Sequence, residues 1–246
     1  MILKDIIQSL KADAHVKKVM KGIFWTAVAS KYCGLASTMI YESCFQEDKD
    51  NLHFSSLTDK TVLELAQYVF SNRISDVSIG LAAINSLIDI NESRCKEVNA
   101  GDLLIKLGEK KNVSVIGHFP FSDALKSVTN NLWVIEKRVR PGDYPERDAE
   151  IYLPQSDIIA ISSTTLINHT LDAILKLCPK RSIKILLGPS TPMSEIIFDY
   201  GIDIISGIKV LDEVKVFKYI SEGANFRQLK KTGAIMLITM ARKEII

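Results

Sequence analysis

At 246 residues, with 47% hydrophobic and 24% charged residues, the chain has the composition of a folded globular protein, not of a disordered one. Thirty-one Lys and Arg against 29 Asp and Glu give a formal charge of +2, too balanced for a nucleic-acid track, and no basic run or basic-aromatic interleaving occurs. No nucleic-acid partner is expected. The start, Met-Ile-Leu-Lys-Asp, lacks a basic-then-apolar leader, and the run Gly233 to Ala241 is too short to cross a bilayer, which predicts a cytoplasmic protein without a membrane partner. Cys33, Cys44, Cys95 and Cys178 form no C-x-x-C pair, so reduced, buried thiols are expected rather than a disulfide framework or a zinc knuckle.

In chain order, Ile2, Leu3, Ile6, Ile7 and Leu10 recur at helical spacing and predict an amphipathic first helix. Val16 to Ala29 and Leu35 to Ile40 read as strands joined as a hairpin around Ser30 to Gly34. Gln46 to His53 is polar and charged, the pattern of an exposed loop. Two helices follow. Thr61-x-x-Glu64 resembles a capping box opening the first, and Asp76 to Asp89 carries the second. This is a small α+β domain.

After Asn91 the pattern changes, with a domain boundary expected near 95 to 110 and drawn as 1–98 and 99–246. Val113 to Gly117, Leu132 to Glu136, Ile158 to Ser162, Ile183 to Leu187 and Ile202 to Ile208 are five strands whose apolar runs suit burial on both faces. Helices are expected at Ser122 to Thr129, Glu146 to Leu153, Leu166 to Leu177, Met193 to Tyr200 and Asp212 to Glu222, giving parallel βαβ units in an α/β fold. Gly223 is a helix C-cap candidate, while Gly233 to Ile246 fits a strand or a helix equally well.

In such a sheet ligands collect outside the carboxyl ends of the strands. Gly188-Pro-Ser-Thr-Pro192 ends one strand, with Gly188, Ser190 and Thr191 as ligand candidates and Thr191-Pro192 read as N-cap and first helical residue. Gly117-His-Phe-Pro-Phe121 is the first βα turn. Glu136 ends the next strand where a Rossmann fold has its ribose-binding acid, yet G-x-G-x-x-G is absent and Pro120 has no N–H for a phosphate. Asp143 and Tyr144 lie in the turn-rich Arg140 to Pro145, and Thr164, Thr165, Asn168 and His169 follow the third strand. Cap and turn residues occur at such places for local reasons alone, but successive polar strand ends converge on one crevice. His118, His169, Glu136, Asp143 and Asp212 are candidate metal donors, with His118, Glu136 and Asp143 as the metal set. Imidazole with carboxylate suits a transition metal better than Mg or Ca.

Taken together, Gly22-Ile-Phe-Trp-Thr-Ala-Val28, Ser78-Ile-Gly-Leu-Ala-Ala-Ile-Asn85, Gly117-His-Phe-Pro120, Thr164-Thr-Leu-Ile-Asn-His-Thr170, Gly188-Pro-Ser-Thr-Pro192 and Glu222-Gly223 resemble the prokaryotic heavy-metal-chelation family of unknown function. That resemblance implies an enolase N-terminal-like domain followed by a Rossmann-like domain, with a site in the cleft between them. By motif match it points to Asn85, His118, Thr165, Asn168, Ser190 and Thr191. The expected function is binding of a heavy or transition metal ion, or of a small molecule carrying one, with that ion as the candidate cofactor. The alternative is an enzyme acting on a nucleotide-like or other small organic substrate in the same cleft. A homo-oligomer is left open.

Overall fold

The computed structural model describes residues 1–39 and 56–242. The strand end at Ile40, Cys44, the expected loop Gln46 to His53 and the last four residues lie outside these. The chain folds as two compact units. The first comprises Met1–Ile90 together with Pro189–Ser194 and Ile208–Met236, and the second comprises Asn91–Gly188, Glu195–Gly207 and Leu237–Ile246. A boundary drawn once along the sequence has no place for the two later segments that return to the first unit.

The first unit holds the antiparallel strands β1 (Lys18–Lys21), β2 (Trp25–Ala29) and β3 (Cys33–Ser37), in that order. What read as one strand from Val16 to Ala29 is two, because the chain reverses at Gly22, whose N–H donates to the Trp25 carbonyl at 2.8 Å. A Cβ on Gly22 would stand 2.7 Å from Ile220 Cγ2, so only glycine lets the helix Glu213–Ser221 pack on this reversal. The helix Ile74–Asn85 covers the sheet and is buried along Val77 to Ile84. The capping box at Thr61 is present: its hydroxyl accepts from Glu64 N–H, and the Glu64 carboxylate accepts from Thr61 N–H. Trp25, Ala27, Ala29 and Leu35 from the strands meet Val216, Phe217, Ile220 and Leu229 in one apolar cluster.

An eight-stranded sheet that lies mainly in the second unit comprises β4 (Cys95–Lys96), β5 (Asn112–Ile116), β6 (Asn131–Glu136), β7 (Tyr144–Pro145), β8 (Ile158–Ser162), β9 (Ile183–Leu187), β10 (Ile204–Val210) and β11 (Ile235–Ala241). The spatial order is β4-β11-β10-β9-β8-β5-β6-β7. From β5 the chain adds β6 and β7 on one side, then returns to add β8, β9 and β10 on the other, all parallel. The order therefore reverses at β5, and the carboxyl ends of β5 and β8 flank the reversal, the place where open α/β sheets bind ligands. The tail is a strand, β11, antiparallel to β4.

Three helical expectations change, and one helix has no expected counterpart. Helix Ala100–Gly108 was not anticipated, since two glycines weaken its propensity. They serve packing, as a Cβ on Gly101 would meet Phe121 at 2.7 Å and one on Gly108 would meet Leu125 at 3.0 Å. Glu146 to Leu153 is only a short α turn, Ala149–Tyr152, flanked by 3₁₀ turns. The helix expected over Leu166 to Leu177 is two, Thr164–Ile167 and Leu171–Leu177, separated by a side-chain turn at Asn168. Met193 to Tyr200 forms a 3₁₀ run only from Glu195, and residues 191–194 are irregular.

Candidate functional site

Because β5, β6, β7, β8 and β9 are parallel, their carboxyl ends share one edge of the second unit. There the chain leaves β5 through Gly117, whose N–H donates to Ile135 O at 3.0 Å and whose φ is +105°. A Cβ at Gly117 would sit 3.0 Å from Ser162 Cβ. Gly188, at φ +129°, stands in the same relation to β8, where a Cβ would fall 2.6 Å from Ser163 Oγ. Backbone conformation and close approach thus account for both glycines, and neither has to touch a ligand to be required.

His118, Glu136 and Asp143 come together at this edge. Glu136 Oε1 accepts from the His118 backbone N–H at 2.8 Å, and its Oε2 accepts from Lys137 N–H at 3.1 Å. Asp143 sits in a turn closed by its own N–H donating to Arg140 O at 2.9 Å, while Arg140 N–H donates to Asp143 Oδ2 at 3.2 Å. The Asp143 carboxylate is only 5% exposed, and its Oδ2 lies 3.4 Å from His118 Nδ1, whose side chain is 31% exposed. The result is a half-exposed imidazole with a buried carboxylate behind one ring nitrogen and a second carboxylate holding its backbone. Of the two ring nitrogens, Nδ1 is the one beside the Asp143 carboxylate, and Nε2 lies across the ring. The next aromatic residues along the chain, Phe119 and Phe121, stack on each other with ring centroids 5.1 Å apart.

The other predicted residues are engaged locally. Ser162 Oγ, which the sequence did not single out, bonds Thr164 Oγ1 at 2.8 Å, and Thr165 Oγ1 donates to Ser162 O at 2.6 Å. Asn168 Oδ1 accepts from both Thr170 N–H (3.2 Å) and Thr170 Oγ1–H (2.7 Å). His169 adopts φ +59°, and Thr170 N–H reaches back to Thr165 O, the bond pattern that closes a helix with a left-handed residue. Asp212 caps the helix Glu213–Ser221 by accepting from Lys215 N–H at 3.0 Å. That bond, with the Lys215 ammonium 3.2 Å away, holds its carboxyl below the usual carboxylate range.

Asn85, Ser190 and Thr191 belong to the first unit. Asn85 Nδ2 donates to Leu35 O (2.9 Å) and Ser190 O (3.2 Å). Ser37 N–H donates to Ser190 Oγ (2.8 Å), which donates to Ser37 Oγ (3.0 Å). These bonds shape the turn, and Thr191 is therefore no helix cap: its Oγ1 is buried and without a partner. Ser37 carried no sequence signal, since its role exists only once β3 lies beside residue 190. The first unit also has a cavity of about 540 Å³ walled by Met20, Ile23 and Ile220, with Lys21 and Thr38 on its rim. Of its lining, Gly22, Ile23 and Gly223 stand in motifs quoted from the sequence.

A heavy or transition metal held by protein alone takes three or four donors. Among the described residues no three His, Cys, Asp or Glu side chains gather in that way. Of the expected metal set, His118 and Asp143 face each other, whereas both Glu136 oxygens accept from backbone. Nor do Cys33 and Cys178 offer ready soft ligands: burial, with Glu213 nearby, pushes Cys33 up to about 12, and burial pushes Cys178 up to about 11 against the opposing effect of Lys184. A metal binds the thiolate, which these sites disfavour. The described side chains do not fit a metal chelated by protein donors only.

Comparison with known proteins gives a consistent family. Residues 99–239 match the family model DUF364 and residues 3–88 match DUF4213, each described as "Putative heavy-metal chelation". An uncharacterized protein of Methanocaldococcus jannaschii is 27% identical over 219 residues, covering 85% of this chain and 82% of that one. Two crystal structures of DUF364 proteins of unknown function each align over 98% of both chains. The one from Desulfitobacterium hafniense has a TM-score of 0.83 at 24% identity, and that from Pyrococcus horikoshii 0.77 at 20%. At those identities the likeness concerns the fold. With the family model spanning more than half its length, the chain belongs to the DUF364 family.

Proposed function

We propose that this protein binds a small molecule at the carboxyl ends of β5 and β6, with the His118 imidazole as the group that meets it. The observation that carries the reading is the buried Asp143 carboxylate 3.4 Å behind His118 Nδ1, just past the carboxyl end of β5. A buried charge at a half-exposed histidine costs solvation and is retained where it orients that ring. The family's chelation description is compatible with this edge when the metal arrives as part of a small molecule that supplies its remaining donors.

The test is native mass spectrometry of the purified protein beside a metal analysis of the same sample. A retained organic species, lost in His118→Gln while the variant keeps the parent's circular dichroism spectrum, supports the reading. A stoichiometric metal ion with no organic partner, unaffected by His118→Gln, refutes it. A second reading, an enzyme on a small organic substrate, is favoured by the same pair, since an imidazole oriented by a carboxylate is the usual apparatus for moving a proton. Turnover that falls in Asp143→Asn without loss of binding separates catalysis from binding.

A further inference from the structure

The cavity of the first unit has a lining that specifies the chemistry of an occupant. Every residue around it belongs to that unit, and its volume of about 540 Å³ lies within the roughly 300–1,000 Å³ of small-molecule sites. Met20, Ile23 and Ile220 form the apolar wall. Met20 and Ile220 also pack in the cluster around Trp25, so that wall is held from behind. Gly22 lets Ile220 close on the reversal between β1 and β2, and a Cβ on Gly223, at φ +76°, would stand 3.7 Å from Ile23 Cδ1. Ile23 is nevertheless 62% exposed, which presents apolar surface to solvent at the cavity mouth.

The polar groups are brought together by strand pairing. Lys21 is the cross-strand partner of Thr26, and Thr26 Oγ1 shares a 2.9 Å hydrogen bond with Thr38 Oγ1. Directly opposed residues have Cβ atoms about 4.5–5.5 Å apart, so Lys21 and Thr38, both lining the cavity, are within reach of one ligand. After its bond to Thr26, the Thr38 hydroxyl still has capacity for a second partner, because such an oxygen donates once and accepts twice. Ser221 is committed, its Oγ–H donating to Lys218 O at 2.7 Å. The carbonyls ending the helix Glu213–Ser221 already accept: Lys218 O from Glu222 N–H, Tyr219 O from Ala224 N–H and Ile220 O from Gly223 N–H. No described carboxylate pairs with Lys21, and Glu222, although between two lining residues, does not line the cavity. Lys18 and Lys218 stand over the rings of Phe217 and Tyr219, at 4.4 and 5.8 Å. Of these three lysines, Lys21 is the one whose charge is unengaged.

We propose that this cavity binds an amphipathic anion, a small molecule whose apolar body lies on Met20, Ile23 and Ile220 while its carboxylate or phosphate head meets the Lys21 ammonium and the Thr38 hydroxyl. The site uses none of the groups around His118 and stands or falls independently of the reading given there. The test is titration calorimetry of the full chain with octanoate, octyl phosphate and, as the uncharged comparison, octanol. One octanoate or octyl phosphate per chain is expected, and the tighter of the two assigns the head group. Lys21→Met keeps the stem and removes the charge; it should weaken the anions about three- to fivefold at low ionic strength, the effect of one exposed ion pair, and leave octanol unchanged. Added salt should shrink that difference. Ile23→Gln should weaken all three ligands. Both replaced side chains are exposed, so the variants should keep the parent's circular dichroism spectrum. The control is Lys106→Met, an exposed lysine of the second unit. No saturable binding of either anion at millimolar concentration overturns the proposal. So does unchanged anion affinity in Lys21→Met, or an equal loss in Lys106→Met, which would mark attraction to surface charge in general.

Discussion

Gly34→Ala is a direct test of how β3 and the helix Ile74–Asn85 are joined. An added Cβ would stand 2.2 Å from Ala82 O, 2.3 Å from Ser86 N and 2.6 Å from Asn85 C, all backbone atoms of the helix's last turn. Side chains that can rotate keep the cost of overpacking to about 1–3 kcal/mol. Here nothing can rotate, so strand and helix must part, and the upper end of that range is expected. Lower unfolded-state entropy returns about 0.4–1 kcal/mol, leaving a net loss of about 2–3 kcal/mol. For a chain of this size each kcal/mol shifts the melting temperature by roughly 2–4 °C, so a drop of roughly 4–12 °C should appear in thermal unfolding followed by circular dichroism. Gly201→Ala is the control: its φ is +79° and nothing lies within 4 Å of the added Cβ, so only backbone strain of about 1–2 kcal/mol is expected. If Gly34→Ala melts with the parent, or no lower than Gly201→Ala, the close approach is not what makes residue 34 a glycine.

Asn225 caps the helix Phe226–Lys231 in a reciprocal box with Gln228, so Asn225→Ala should cost about 1 kcal/mol in denaturant unfolding. The Asp212 carboxyl is held low by Lys215, so its charge stabilises the fold above the ordinary carboxylate value of about 3.9 and ceases to do so as pH falls through its depressed pKa. The melting-temperature gap between the parent and Asp212→Asn should therefore be present at neutral pH and close in acid; a gap independent of pH would contradict the assignment. With Cys33 near 12 and Cys178 near 11, about one molecule in 10⁴ and one in 10³ carry those thiolates at pH 8, and both should resist iodoacetamide until the protein unfolds. Rapid alkylation of either, read by peptide mass mapping, would show that its burial is not maintained.

Much of the architecture was legible from local rules. The strands Ile158–Ser162 and Ile183–Leu187 coincide with their apolar runs, and the boxes and caps at Thr61 and Gly223 follow from residues within a few positions of each other. The same rules failed where a distant partner competes. Thr191-Pro192 has every local feature of a helix start, yet Asn85 and Ser37, more than 100 residues earlier, take Ser190's carbonyl and hydroxyl and hold the turn open. Helix Ala100–Gly108 was hidden by glycines whose purpose is room for Phe121 and Leu125, which sequence spacing does not express. At the candidate site, sequence order brings His118 and Glu136 to one sheet edge, because the parallel strands β5 and β6 share their carboxyl ends. Which oxygen meets which nitrogen depended on the turn at Arg140 and on β6 lying beside β5. That pairing places Asp143 behind the imidazole and commits Glu136 to the backbone, a distinction that residue types cannot encode.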